Sequence, residues 1–135
     1  MEKLKVLIVD DEEEFVDPLI KRLNDRGLEV AGAYRRQQAL DLLHSKDFDV
    51  VILDLRMPGM DGFETLRELR KSKPLLPVIM LTGQGPSELG VQGLELCDHN
   101  HLVKPVSFND LLTEIHRVHK KRLVQRANCP SGLTS

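Results

Sequence analysis

Four apolar runs in this 135-residue chain each end in a polar group able to do chemistry. Val6–Val9 leads into Asp10-Asp11, Val50–Leu53 into Asp54, Val78–Leu81 into Thr82, and Leu102-Val103 into Lys104-Pro105. Runs of this kind, bounded by turn residues and separated by helical patterns, predict buried strands of a parallel sheet. The carboxyl ends of parallel strands open on one edge, where ligands bind. Three carboxylates, a hydroxyl and an ammonium are therefore expected to converge. Crowded carboxylates repel unless a cation neutralises them, and an open site of oxygen ligands suits Mg2+. A carboxylate beside Mg2+ can attack an activated phosphoryl group and become an aspartyl phosphate. The metal and Lys104 would absorb charge on the equatorial oxygens, with the Thr82 hydroxyl bonding one of them.

Taken singly, each group has a plainer reading. Asp10 and Asp11 could cap the first helix, with Glu12 to Glu14 favouring its dipole. Asp54 could be a polar strand end, Thr82 a turn former and Lys104 a surface lysine. Their joint placement along one predicted sheet edge favours a site.

The elements that must position these groups alternate between strand-like runs and helical spacing. Phe15, Val16, Leu19, Ile20 and Leu23 mark a first helical face, closed near Arg26-Gly27 and interrupted by Pro18. A weaker second strand spans Leu28 to Ala33, and Ala39, Leu40, Leu42 and Leu43 mark a helix ending near Lys46. Phe63, Leu66, Leu69 and Arg70 predict a third helix that stops before Pro74. A Gly83-Gln84-Gly85-Pro86 loop and a poor helix near Ser87–Leu96 follow the fourth strand. The last strand covers about His101 to Val103. Leu111, Leu112, Ile115 and Val118 then share one face of a closing helix, with Ser107 to Asp110 offering caps. The pattern is (βα)5, an α/β doubly wound three-layer sandwich around a parallel five-stranded sheet. The flavodoxin-like order 2-1-3-4-5 is expected, because it sets strands 1 and 3 side by side. Residues 1–126 form the domain, and 127–135 are expected to be a disordered tail or the start of a linker.

Composition narrows the function classes. A net charge of −2 supplies no global basic field for nucleic acid. Lys120-Lys121-Arg122 reads as a solvated helix end. Cys97 and Cys129 make no disulfide framework and cannot hold a structural zinc unaided. No signal-type segment opens the sequence, and no apolar run approaches the roughly 20 residues of a membrane helix. A cytoplasmic protein with no membrane contact is expected.

Asp10-Asp11, Asp54 with Met57-Pro58-Gly59-Met60-Asp61-Gly62, Thr82-Gly83 and Lys104-Pro105 together resemble the receiver domain of bacterial response regulators, of the chemotaxis-regulator type. The resemblance runs from about Lys3 to Val124, and Leu53–Gly62 is its most specific stretch. It implies a two-component phosphorelay switch in which Asp54 accepts the phosphoryl group from a sensor histidine kinase or phosphotransfer protein. Asp11, Asp54 and the backbone carbonyl of Arg56 would bind Mg2+, with Asp10 assisting. Thr82 would be the switch hydroxyl and Lys104 the phosphate-pairing cation. An effector domain or downstream protein would dock on the face of the fourth helix, fifth strand and fifth helix. A phosphorylation-linked dimer is a further expectation. Such a domain catalyses only its own phosphorylation and dephosphorylation, so it is not an enzyme in the usual sense.

The chain departs from that family at His101, where Tyr or Phe usually turns inward on activation. The imidazole either rotates toward Thr82, bringing a pKa near neutrality into the switch, or is an exposed side chain on the edge strand. Gly90 and Gly93 weaken the fourth helix by roughly 1 kcal/mol each. Arg56 and Gln84 occupy the variable positions that tune phosphoryl loss. Two rivals stand against the receiver reading. A haloacid-dehalogenase-like phosphatase needs an Asp-x-Asp element after the first strand, and Asp10-Asp11 does not supply it. A receiver-fold interaction module that is never phosphorylated would not need the acidic pair, the acceptor and the lysine.

Overall fold

The computed structural model describes residues 3–54, 56–57, 60–82, 101–103 and 105–128. The order of elements is β1 (Lys5–Val9), α1 (Glu13–Asp25), β2 (Glu29–Ala33), α2 (Arg36–Ser45), β3 (Val50–Asp54), β4 (Arg56–Met57), β5 (Met60–Asp61), α3 (Gly62–Ser72), β6 (Val78–Thr82), β7 (His101–Val103) and α4 (Phe108–Asn128). Five strands form one parallel sheet in the order β2-β1-β3-β6-β7. Counted along the sheet this is 2-1-3-4-5, the expected arrangement. The region expected to hold the poor helix at Ser87–Leu96, with Gly90 and Gly93, lies outside the described residues.

Alternation along the central strands explains the three layers. Val6, Ile8, Val50, Ile52, Ile79 and Leu81 pack against Val16, Leu19 and Leu23 of α1 and Leu111, Ile115 and Val118 of α4. Leu7, Val9, Val51, Leu53, Val78 and Met80 face the other way, onto Ala39 and Leu43 of α2 and Leu66 and Leu69 of α3. Every residue of β3 is buried. A strand covered on both faces has no polar side, which is why these runs are continuously apolar.

Local chemistry sets the helix ends. Leu28 N–H donates to the Leu23 carbonyl (3.2 Å) and Gly27 N–H to the Asn24 carbonyl (3.0 Å). Gly27 has φ +89°, so a glycine ends α1 in a left-handed turn while Leu28 folds back onto Leu23 in the core. Ser107 caps α4, its Oγ accepting the Asp110 N–H at 3.0 Å. Pro18 does sit inside α1. The carbonyl it leaves without a donor is that of Glu14, and both residues are exposed, so water can serve it. Between α1 and α4, Arg22 stacks its guanidinium 4.0 Å from the centre of the Phe108 ring, with Arg26 at 5.3 Å.

One element was absent from the sequence reading. Arg56–Met57 and Met60–Asp61 form a two-residue antiparallel ladder, with Arg56 opposite Asp61 and Met57 opposite Met60. From the sequence, Gly59 and Gly62 in this stretch point only to a tight turn after the acceptor strand. Gly62 instead opens α3, and Gly59 lies outside the described residues.

Strand β2 is the outer strand on its side of the sheet, and side chains meet outward N–H groups at and just past its two ends. Glu29 N–H and the Ala33 carbonyl bond toward β1, so the alternate residues face away. The Val30 N–H donates to Asn24 Oδ1 (3.2 Å) and the Tyr34 N–H to Gln38 Oε1 (2.9 Å). The Tyr34 hydroxyl in turn donates to Asp17 Oδ1 at 2.5 Å, tying the end of β2 to α1.

That last bond gives a measurable pH dependence. Chiefly through the hydrogen bond to Asp17, then through desolvation and the charges of Asp17 and Glu13, the Tyr34 phenol is pushed up from 10.0 to about 12. The folded state thus favours the neutral phenol. Its contribution to stability is fully present below pH 10 and disappears as pH rises through about 12. Tyr34 is the single tyrosine and the chain has no tryptophan, so phenolate absorbance reads it directly. The titration midpoint is expected near 12 and should fall toward 10 in Asp17→Ala; an unmoved midpoint would refute the assignment.

Candidate functional site at the carboxyl edge of the sheet

The parallel register fixes which strand ends meet. Val9 pairs with Leu53, so Asp10 and Asp54 emerge side by side from β1 and β3. The Asp10 N–H bonds the Ala33 carbonyl (3.0 Å), which continues the sheet one residue past the strand and holds Asp10 at its edge. Its Oδ1 accepts the Glu12 N–H at 3.0 Å. That bond closes an Asx turn leading into the cap residue of α1; it does not make Asp10 the cap that the plainer reading suggested. Asp10 is 0% exposed and Asp54 2%.

Four carboxylates gather there. Asp10, Asp11, Glu12 and Asp54 each bring an oxygen within 4.8 Å of the others. Oδ1 of Asp11 is buried without a hydrogen-bond partner. Burying an anionic oxygen without a partner is costly, as is packing like charges together. Opposite oxygens on an octahedral Mg2+ stand about 4.2 Å apart, twice its bond length. A hard divalent cation therefore fits this donor set in chemistry and in span.

The other groups singled out in the sequence fall as follows. Thr82 closes β6 directly after Leu81, the register partner of Asp54. His101 opens β7 opposite Met80, and Val103 stands opposite Thr82. Arg56 begins β4 two residues past Asp54. Lys104 and Gln84 lie outside the described residues.

Glu12 is the member that sequence reasoning missed. It was read only as a charge favouring the helix dipole. Its position immediately after Asp10-Asp11, before the first turn of α1, was the available signal, since a residue there stays at the sheet edge.

A parallel sheet of this order, with acids gathered where strands 1 and 3 end, is the architecture of a receiver. Residues 6–116 match the family described as the response regulator receiver domain, and the chain belongs to that family. Its fold is similar to a CheY-like receiver domain protein from Methanospirillum hungatei JF-1, with a TM-score of 0.85 and 28% identity over 92% of this chain and 99% of that one. A receiver domain protein from Clostridium thermocellum is 31% identical, with a TM-score of 0.81 over 90% of this chain and 98% of that one. NtrX from Brucella abortus matches 93% of this chain with a TM-score of 0.85 and 28% identity, but the match covers 29% of that longer protein.

Proposed function

We propose that the domain is a phosphorylation-dependent signalling switch whose acceptor is Asp54. The carrying observation is a buried carboxylate at the end of an entirely buried strand, set among three more carboxylates. Membership of the receiver family supports the same reading.

Asp10, Asp11, Asp54 and the Arg56 carbonyl would hold Mg2+, which supplies charge neutralisation for incoming phosphoryl oxygens. An Asp54 oxygen attacks the phosphorus of a phosphohistidine on a sensor histidine kinase or phosphotransfer protein. The N–P bond breaks, the O–P bond forms, and the electron pair leaves with the imidazole. Burial keeps Asp54 oriented by β3 and limits water around the acyl phosphate. Thr82, at the adjacent strand end, bonds a phosphoryl oxygen, and Lys104 pairs with the new charge. His101 stands at the position that relays this event.

The domain handles its own phosphoryl group and turns over no external metabolite. Its output passes through the face bearing β7 and α4 to an effector domain or downstream protein, or to a second phosphorylated copy. It works in the cytoplasm; no helix among the described residues is long and apolar enough to cross a membrane. Intact-mass measurement after acetyl phosphate and Mg2+ tests the reading. A gain of one phosphoryl group is expected, and an unchanged mass would reject it.

A further inference from the structure

We infer that Arg122 is a strap, a side chain that crosses the amino edge of the sheet between its two helical layers and fixes how the end of α4 leaves the domain. The inference does not rest on the phosphorylation reading.

Helix α4 outruns the core it covers. Among the described residues, Val118 is the last of α4 in the core shared with α1, yet the helix continues to Asn128. At 1.5 Å per residue that continuation is about 15 Å long. Arg122 lies one turn past Val118, and its Nη1 donates to the Asp49 carbonyl at 3.4 Å. Asp49 is a firm anchor. Its N–H donates to the Lys5 carbonyl at 2.7 Å, and its Oδ2 accepts the Lys5 N–H at 2.8 Å. It stands directly before β3, so the strap joins the outgoing helix to the strand that ends in Asp54.

The side chain also passes from one layer to the other. Helix α4 packs on the same face as α1, but Arg122 lines a cavity of about 290 Å3 with Leu43 of α2, Lys73 and Leu76. Leu43 and Leu76 belong to the core of the opposite face. In the sequence Lys120-Lys121-Arg122 reads as one solvated cluster. The structure separates its members: Lys120 and Lys121 are exposed, whereas the Nε of Arg122 is buried. Arginine suits the crossing, because its long stem lies along apolar surface while its fork of donors reaches a carbonyl. Because a cavity adjoins the side chain, close packing alone does not fix it, and its polar contacts hold it in place.

Amide hydrogen exchange of the full chain, followed by NMR, tests the strap. Arg122→Ala should speed exchange at residues 119–126 roughly fivefold to tenfold, the scale of one lost net hydrogen bond. Amides of β3 should stay within about twofold, since the opening is local. Alanine is the better helix former, so lost propensity cannot produce the change. Lys121→Ala, at the exposed neighbour, should leave both regions within about twofold. Unchanged exchange of the helix end in Arg122→Ala would overturn the strap. Equal acceleration in β3 would overturn it too, as the mark of a general loss of stability, and so would an equal effect of Lys121→Ala.

Discussion

Asp54→Asn is expected to take up no phosphoryl group from acetyl phosphate and Mg2+ under conditions that label the wild type to completion. The amide preserves the volume and planarity of the side chain but offers no anionic oxygen to attack phosphorus. The substitution also removes one charge from a set of four, so the fold should not suffer. Intact mass separates the possibilities in one measurement. A mass gain surviving in Asp54→Asn would mean that another carboxylate, Asp10, Asp11 or Glu12, is the acceptor, and the central assignment would fall. A folded variant of unchanged mass, shown by thermal unfolding alongside, is the expected pair of results.

The largest stability effect should come from the middle of the same strand. Ile52 is fully buried, with Ile8 and Ile79 as its register partners on either side. On its face it packs into the cluster made with α1 and α4. Ile52→Ala removes three methyl-scale groups where neither sheet neighbour can move in to fill the space. A loss of about 3 kcal/mol is expected, within the 2–5 kcal/mol measured for such truncations. For a domain holding roughly 5–15 kcal/mol in all, that is a large share. Urea unfolding should show the midpoint drop at unchanged slope. Leu75→Ala, at a leucine 42% exposed, should change stability by less than about 0.5 kcal/mol. Comparable losses at the two sites would contradict this account of the core.

The two results bear on how much the chain discloses before it is folded. Buried strands were legible because both faces of the sheet are covered, which forces continuous apolar runs such as Val50–Leu53. The acids were legible because each directly follows such a run. The short ladder of Arg56–Met57 with Met60–Asp61 was not, since two-residue strands carry no periodicity and Pro58-Gly59 announced only a turn. Glu12 was hidden by an adequate local explanation. A glutamate ahead of a helix always suits the dipole, and that sufficiency masked its proximity to Asp54, which only the β1–β3 register creates. Strand order likewise came from the switch-point argument about where acids must meet, not from any residue of β2 or β7.

The margin of β2 has a consequence for the chain in the company of its own copies. A free strand margin invites another strand to add to it, and growth by that route is how sheets become fibrils. Of the three outward donors between Val30 and Tyr34, the two terminal ones are already engaged by Asn24 and Gln38. Between them stands Gly32, whose helix-facing side is filled by α1, since a β-carbon there would lie 2.9 Å from Ile20 Cδ1. An incoming strand would have to displace two amide side chains before gaining its first pair of bonds. That requirement raises the cost of adding a strand on that side, for nascent or concentrated chains as for the folded one.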